Sequence, residues 1–366
     1  MENKSFHERY QRQIILKEFG TTGQNRLKQA KVLVVGAGGL GCPVLLYLVA
    51  AGVGTIGIVD DGLVELSNLH RQILFNTADI GKRKVDCAEQ LLAKMNPEVT
   101  IRTYPYRMDT SNTLHLIEAY DIVIDGTDNF QTRYMINDAC VLLDKPLIFG
   151  AISRYEGQVA VFKDSINYRD IFPNPPQEGE VMNCSEAGVL NVLPGLIGNL
   201  LANECIKLIT GIGETLVGKL QTYNMLNNSS FTVDITPTSL SSALIPTNRE
   251  SFEATDYYYL CNTDKMFVNE LDKQQFLSLV ENEEADLVDV RELGEQPTLN
   301  GFDHLRIPLS SFDKHISLIK KDTVVFICQS GQRSKLAARR FEELVNQGNK
   351  KVFSLEGGIL SLRDML

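Results

Sequence analysis

The apolar run Val32-Leu33-Val34-Val35 leads directly into Gly36-Ala37-Gly38-Gly39-Leu40-Gly41 and then into an apolar helical pattern through Leu45, Leu48 and Val49. Strand, glycine turn and helix follow one another without a gap. Ile56-Gly57-Ile58-Val59, ending in Asp60-Asp61, and Ile122-Val123-Ile124, ending in Asp125-Gly126-Thr127-Asp128-Asn129, add two more buried-type strands. Strands separated by helical patterns predict an α/β fold, a Rossmann-like, mostly parallel sheet with covering helices. Ligands of such sheets bind beyond the carboxyl ends of the strands, so the three polar clusters should meet in one cleft.

At 366 residues the chain is long enough for two or three domains. Between about Thr236 and Asp264 the periodic patterns fade into Pro, Ser, Thr and Asn with a Tyr257-Tyr258-Tyr259 cluster. This divides the chain into a first domain at 1–238, a linker at 239–263 and a second domain at 264–366. In the last, Leu287-Val288-Asp289-Val290-Arg291 and Val324-Val325-Phe326-Ile327 supply the strands of a small α/β fold. No apolar run of roughly 18 residues offers a membrane span, and Met1 to Arg12 lacks a secretory core. Seven cysteines without any C-x-x-C pair fit a reducing compartment, so the expectation is a cytoplasmic protein without a membrane partner. A net charge of −10 disfavours nucleic acid as a partner.

Gly36, Gly38 and Gly41 satisfy G-x-G-x-x-G, and Asp60 stands where a ribose-binding acid would. Glycines let the backbone approach a phosphate, and the helix N-terminus attracts its charge. Taken alone the motif also suits a nicotinamide or flavin oxidoreductase, or serves only close helix–strand packing. The charged set downstream separates these readings: Ser67-Asn68-Leu69-His70-Arg71-Gln72, then Lys84, then Asp128-Asn129. Hydride transfer needs none of them. Arg71 and Lys84 suit a triphosphate, and Asp128 is a hard oxygen ligand for Mg²⁺. Any one of these charges alone would pass as solvated surface; together they describe a nucleotidyl-transfer site.

A second chemical signal lies in Cys328-Gln329-Ser330-Gly331-Gln332-Arg333-Ser334, between the strand ending at Ile327 and a helical stretch through Leu336, Ala337, Ala338 and Phe341. A thiolate there faces backbone N–H groups and a helix N-terminus with Arg333 near, all of which favour the ionised form. Cys328 is thus a candidate nucleophile, the alternative being a buried structural cysteine. Four residues separate Cys328 from Arg333, where related cysteine phosphatases carry five. The loop resembles that of the rhodanese family, whose cysteine carries sulfur as a persulfide. Glu356-Gly357-Gly358-Ile359 matches that family's final turn, and the tail stops at Leu366 without the tryptophan often found there, a departure expected to lower catalytic efficiency more than to change the fold.

The first 240 or so residues resemble the ThiF/MoeB/HesA family, bacterial relatives of ubiquitin-activating enzymes. The likeness rests on Arg9-Tyr10-Gln11-Arg12-Gln13, the glycine turn, Asp60, Ser67 to Gln72, Lys84 and Thr127-Asp128-Asn129. The fused pair is similar to molybdopterin-synthase adenylyltransferases carrying a sulfurtransferase domain. The resemblance implies ATP and Mg²⁺ as cofactors and a ubiquitin-like sulfur carrier, MoaD-like or ThiS-like, as partner. The carrier's C-terminal glycine is adenylated, then converted to a thiocarboxylate. It assigns Gly39 to the nucleotide phosphates, Asp60 to the ribose, Asn68, Arg71 and Lys84 to the polyphosphate, and Asp128 to Mg²⁺; Gly36, Gly38, Gly41, Ser67 and Asn129 complete the nucleotide set. Arg12 matches an arginine that reaches the neighbouring protomer's site, implying a homodimer. A cysteine desulfurase or thiosulfate would load Cys328.

Asn183 to Val189 matches the family's cysteine segment and makes Cys184 a second sulfur-relay candidate, alternatively a small residue capping the next helix. Many relatives bind zinc through two C-x-x-C pairs. Here the first is replaced by Asn167-Tyr168-Arg169-Asp170 and the second is missing, so no zinc is expected and packing and hydrogen bonds must hold that region. Cys42, Cys87, Cys140 and Cys205 read as core, and Cys261 falls in the linker. Two further readings stay open: a dinucleotide-dependent oxidoreductase, and a non-catalytic scaffold for a ubiquitin-like partner. The carrier could also serve thiamine synthesis or tRNA thiolation rather than the molybdopterin branch.

Overall fold

In the computed structural model, which describes residues 2–176, 188–260, 269–281, 285–299, 301–329, 331–345 and 350–365, the first apolar run becomes a central strand. The chain divides into two units between Tyr257 and Tyr258. The first contains β1 (Lys31–Val35), β2 (Thr55–Val59), β3 (Thr100–Tyr104), β4 (Ile122–Asp125), β5 (Leu147–Ser153), β6 (Glu156–Phe162), β7 (Lys219–Asn224) and β8 (Ser229–Asp234). They form one sheet in the order β3-β2-β1-β4-β5-β6-β7-β8. The pairings from β3 across to β5 are parallel, with Val34 opposite both Ile58 and Ile124. The remaining three, β5–β6, β6–β7 and β7–β8, are antiparallel.

The order of the parallel strands reverses between β1 and β4. The chain leaves β1 for β2 on one side and later returns to β4 on the other, so the connections after β1 and β4 part and leave a crevice at the carboxyl ends. The helix Gly41–Ala51 is buried nearly all round because it lies under a second apolar helix, Leu193–Thr210. Gly198 permits that approach: a Cβ there would meet Pro43 Cγ at 2.3 Å and Leu40 O at 2.6 Å.

Residues 239–257, placed in the linker by their composition, fold onto the first unit instead. Thr238 caps the helix Ser239–Leu244 and Asn248 caps Arg249–Glu253. Phe252 is fully buried, and Tyr257 Oη donates to Asp138 Oδ2 at 2.9 Å. Asp138 is already paired with Arg169 through Nε and Nη2 at 2.8 and 2.7 Å. Asp170 Oδ1 accepts from Thr238 N at 2.8 Å and from Ser241 Oγ at 2.5 Å, while Asp170 Oδ2 accepts from Asn167 N at 2.9 Å. Thr238 and Ser241 thus repeat the three-residue spacing of Asn167 and Asp170, and four polar side chains form a clasp. The polar composition that resembles a linker is here a set of caps and ties.

The second unit carries β9 (Asn269–Leu271), β10 (Ala285–Asp289), β11 (Leu305–Arg306), β12 (Thr323–Ile327) and β13 (Lys351–Leu355). All pairs are parallel, in the order β11-β10-β12-β13-β9. Alternate residues of β12 enter opposite cores: Val324 and Phe326 pack with Ala337, Ala338 and Phe341, whereas Val325 and Ile327 pack with Phe276 and Leu355. Cys328 continues the first set, which explains its burial.

Candidate active site

The glycine turn is defined by how little space it leaves. Gly36 has φ +95°, and a Cβ on it would meet Gly126 O at 2.8 Å. A Cβ on Gly41 would lie 1.9 Å from Gly36 O, so the helix begins directly over the turn. Gly36 N donates to Val59 O at 2.8 Å and Gly126 N to Val35 O at 2.9 Å, extending the ladder of β1 into both connections. The glycines therefore bring the ends of β1, β2 and β4 together and leave backbone available above them.

Asp60 joins these parts. Its Oδ2 accepts from Ala37 N and its Oδ1 from Gly62 N, both at 2.8 Å, and Lys84 Nζ stands 3.9 Å from Oδ1. A carboxylate has about four acceptor positions, so two bonds leave capacity for a ligand's hydroxyls. Asn68 is buried in a short 3₁₀ turn, its Oδ1 accepting from Glu65 N at 3.2 Å and its Nδ2 donating to Ser67 Oγ at 3.4 Å. Arg71 is held by Ser67 O at 3.0 Å, and its Cγ lies 3.6 Å from the Cβ position of Gly39.

Gln72 was not singled out by its sequence. Its side chain is buried beside Gly38, and Oε1 has no hydrogen-bond partner among the described residues. A buried amide oxygen left unpaired is unfavourable unless a ligand or water completes it. As an acceptor this oxygen suits a hydroxyl or amine of a ligand, while the tight glycine turn and the adjacent Arg71 and Lys84 suit the phosphates of a nucleotide.

Asp128 is exposed on the connection after β4. That connection is braced from below by Asp125, whose Oδ1 accepts from Thr127 N and Oγ1 at 2.9 and 2.6 Å and whose Oδ2 accepts from Arg133 Nε at 3.1 Å. Arg133 Nη2 returns to Thr127 O at 2.9 Å, and the guanidinium stacks 4.9 Å from the Phe149 ring. Burial, the largest single influence, works against the charge of Arg133, yet Asp125 and Tyr168 together outweigh it and raise the pKa above its ordinary value. Asn129, expected at the nucleotide, uses its Oδ1 to cap the helix Phe130–Leu142 through Thr132 N at 2.9 Å. No group of three or more His, Cys, Asp and Glu able to hold a metal alone occurs among the described residues. Mg²⁺ bound with phosphates needs only one or two carboxylates, a requirement that exposed Asp128 meets.

Arg12 lies exposed in the last turn of the helix Glu2–Ile14, followed by exposed Ile15 and Leu16. Cys184 and Cys261 lie outside the described residues. Cys42, Cys87, Cys140 and Cys205 are buried free thiols. Burial raises their pKa, that of Cys42 to about 12, so they remain protonated at neutral pH.

In the second unit Cys328 is 1% exposed, with Sγ 3.4 Å from Ser334 Oγ, which in turn meets Ser354 Oγ at 2.8 Å. Gly331 has φ +89° and packs on the Gly357-Gly358 turn, while Ile359 N donates to Cys328 O at 2.8 Å. The loop spacing puts Arg333 near the thiol, and in the fold it is also gripped by an acid from a distant segment. Both its terminal nitrogens are on Glu295, at 2.5 and 2.6 Å, because this carboxylate offers a matching two-point acceptor.

The ThiF family matches residues 10–242 and the rhodanese-like domain residues 272–364. The chain is 38% identical over 369 residues to a probable adenylyltransferase/sulfurtransferase MoeZ of Mycobacterium tuberculosis, covering 96% of this chain and 92% of that protein. It is 48% identical over 263 residues to a sulfur carrier protein adenylyltransferase of Thermus thermophilus, covering 69% and 96%. A crystal structure of E. coli MccB with AMPCPP and MccA shares the fold, with a TM-score of 0.55 at 23% identity over 63% of this chain and 72% of that one. The chain belongs to the ThiF family and carries a rhodanese-like domain after it.

Proposed function

We propose that this protein adenylates the C-terminus of a ubiquitin-like sulfur carrier with ATP and then replaces the adenylate with sulfur held on Cys328. The observation that carries the first half is the meeting of Gly36, Asp60, Arg71 and Lys84 at the carboxyl ends of adjacent parallel strands, beside the unpaired Gln72 oxygen. In this reading the amides of Gly38 and Gly39 face the phosphates and Asp60 accepts from the ribose. Asn68, Arg71 and Lys84 meet the polyphosphate, with Ser67 supporting Arg71. Asp128 holds Mg²⁺, which would neutralise phosphate charge. Arg12 acts on the site of a second copy, making a homodimer.

The carrier's carboxylate is ionised at neutral pH and needs no general base. It attacks the α-phosphate, pyrophosphate leaves, and an acyl-adenylate forms. A persulfide on Cys328 then attacks the acyl carbon and AMP leaves. A thiolate, Cys184 or a small molecule, cleaves the resulting acyl disulfide, releasing the thiocarboxylate and leaving a disulfide on Cys328.

The fused rhodanese-like domain favours a molybdopterin-type carrier. The test is carrier-dependent ATP–pyrophosphate exchange with molybdopterin-type and thiamine-type carriers, with Asp128→Ala as control. Exchange with the first and loss in the variant is expected; preference for the second would move the protein to the thiamine branch. Absence of exchange with both would favour the scaffold reading.

A further inference from the structure

The cysteine loop of the second unit is surrounded by cations that already have partners. Arg333 grips Glu295 with Nη1 on Oε1 and Nη2 on Oε2. Glu295 Oε1 also accepts from Glu292 N at 2.8 Å, which fixes the acid from its own side. Arg291 reaches Gln329, the neighbour of Cys328, at 3.4 Å, but its Nε and Nη2 are on Asp289 Oδ1 and Oδ2 at 2.9 and 2.7 Å. Lys335, just past the loop, stands 2.7 Å from Glu270. Three cations in or against the loop are therefore each matched by a carboxylate.

Sulfur donors differ in where they keep their charge. In thiosulfate the departing group is a sulfonate bonded to the very sulfur under attack, so a nearby cation strengthens both binding and departure. In an alkyl persulfide the departing sulfur is followed by a methylene, and other charges lie several bonds away.

We propose that Glu295 selects the sulfur donor: by holding the Arg333 guanidinium in a two-point pair, it withholds from the Cys328 loop the cation that thiosulfate requires and commits the loop to sulfur delivered as an alkyl persulfide, such as one carried on a protein cysteine. This rests on the reading of Cys328 as the sulfur-carrying nucleophile. With a persulfide, the Cys328 thiolate bonds to the outer sulfur, the donor's S–S bond breaks, and the donor leaves as a thiolate. With thiosulfate the same bond forms and sulfite leaves. Both routes end in a Cys328 persulfide and need no outside oxidant or reductant. Glu295 touches no reacting atom and acts as a positioning residue through Arg333.

The test loads the full-length protein from thiosulfate or from glutathione persulfide and follows the Cys328 persulfide by mass spectrometry under steady-state conditions. Wild type should load far better from glutathione persulfide. Glu295→Gln should raise kcat/KM for thiosulfate by about tenfold, chiefly through KM, and leave the glutathione persulfide value within about twofold. Glu295→Asp should restore the wild-type preference, and the thiosulfate gain should vanish when Arg333→Gln is added. Equal loading of wild type from both donors, a Glu295→Gln variant that gains nothing or loses both donors together, or a gain that survives Arg333→Gln would each overturn the proposal. Loading that persists in Cys328→Ser would instead overturn the underlying reading of the nucleophile.

Discussion

Ala37 N–H donates to Asp60 Oδ2 at 2.8 Å, so the residue just past β2 fastens the turn that follows β1. The same carboxylate holds Gly62 N and faces Lys84. Asp60→Ala should therefore act twice, lowering stability by about 1–3 kcal/mol through two orphaned amides and abolishing pyrophosphate exchange. Denaturant melts read the first effect. Exchange at a temperature where the variant is fully folded reads the second.

Gln72 should behave differently. Replacing it by Leu removes a buried oxygen that lacks a partner among the described residues, so the melting temperature should hold or rise while KM for ATP increases roughly fivefold, about 1 kcal/mol. An unchanged KM in an ATP titration would make Gln72 a packing residue.

The buried Asp138–Arg169 pair and the Tyr257 hydroxyl on it should hold residues 238–257 in place. Asp138→Asn should cost about 3–5 kcal/mol and open this segment to limited proteolysis. Burial and then the nearby Asp138 charge push the Tyr257 pKa far above its ordinary 10.0. Since the folded value is raised, the stabilisation is fully present below pH 10 and declines only as pH rises beyond it. Proteolysis of wild type should stay flat from neutral pH to the edge of that range.

The Glu295 carboxyl is held below its ordinary 4.5 mainly by the Arg333 bond, with burial opposing and the Glu292 amide and Arg291 assisting. A lowered value means that the pair is intact above pH 4.5 and weakens as pH falls through the folded value. The ratio of persulfide to thiosulfate loading should hence stay constant between about pH 5.5 and about pH 8. A ratio that changes steeply within that interval would assign donor choice to another group.

Legibility in the sequence followed burial. The strands buried on both faces, β1, β2 and β4, announce themselves as unbroken apolar runs, and their polar ends locate the crevice. Apart from buried Leu220 the β7–β8 hairpin is half-exposed to exposed, and its mixed residues give neither period clearly. Residues 239–257 misled by composition because Thr238 and Asn248 cap helices too short to show periodicity. The Asp125–Arg133 brace joins a strand to the next helix and has no local signature. Arg333 was read from its five-residue distance to Cys328, but a carboxylate 38 residues upstream competes for it. Contacts of that kind arise only when the fold brings distant segments together.

The clasp of Asn167, Asp170, Thr238 and Ser241 contains only amide, carboxylate and hydroxyl groups. A four-thiolate metal knot in the same place would be open to chelators, oxidants and the polysulfides that accompany persulfide chemistry. Oxygen and amide groups exchange no sulfur. The seam that closes the first unit is thereby inert toward the cargo the protein is built to handle.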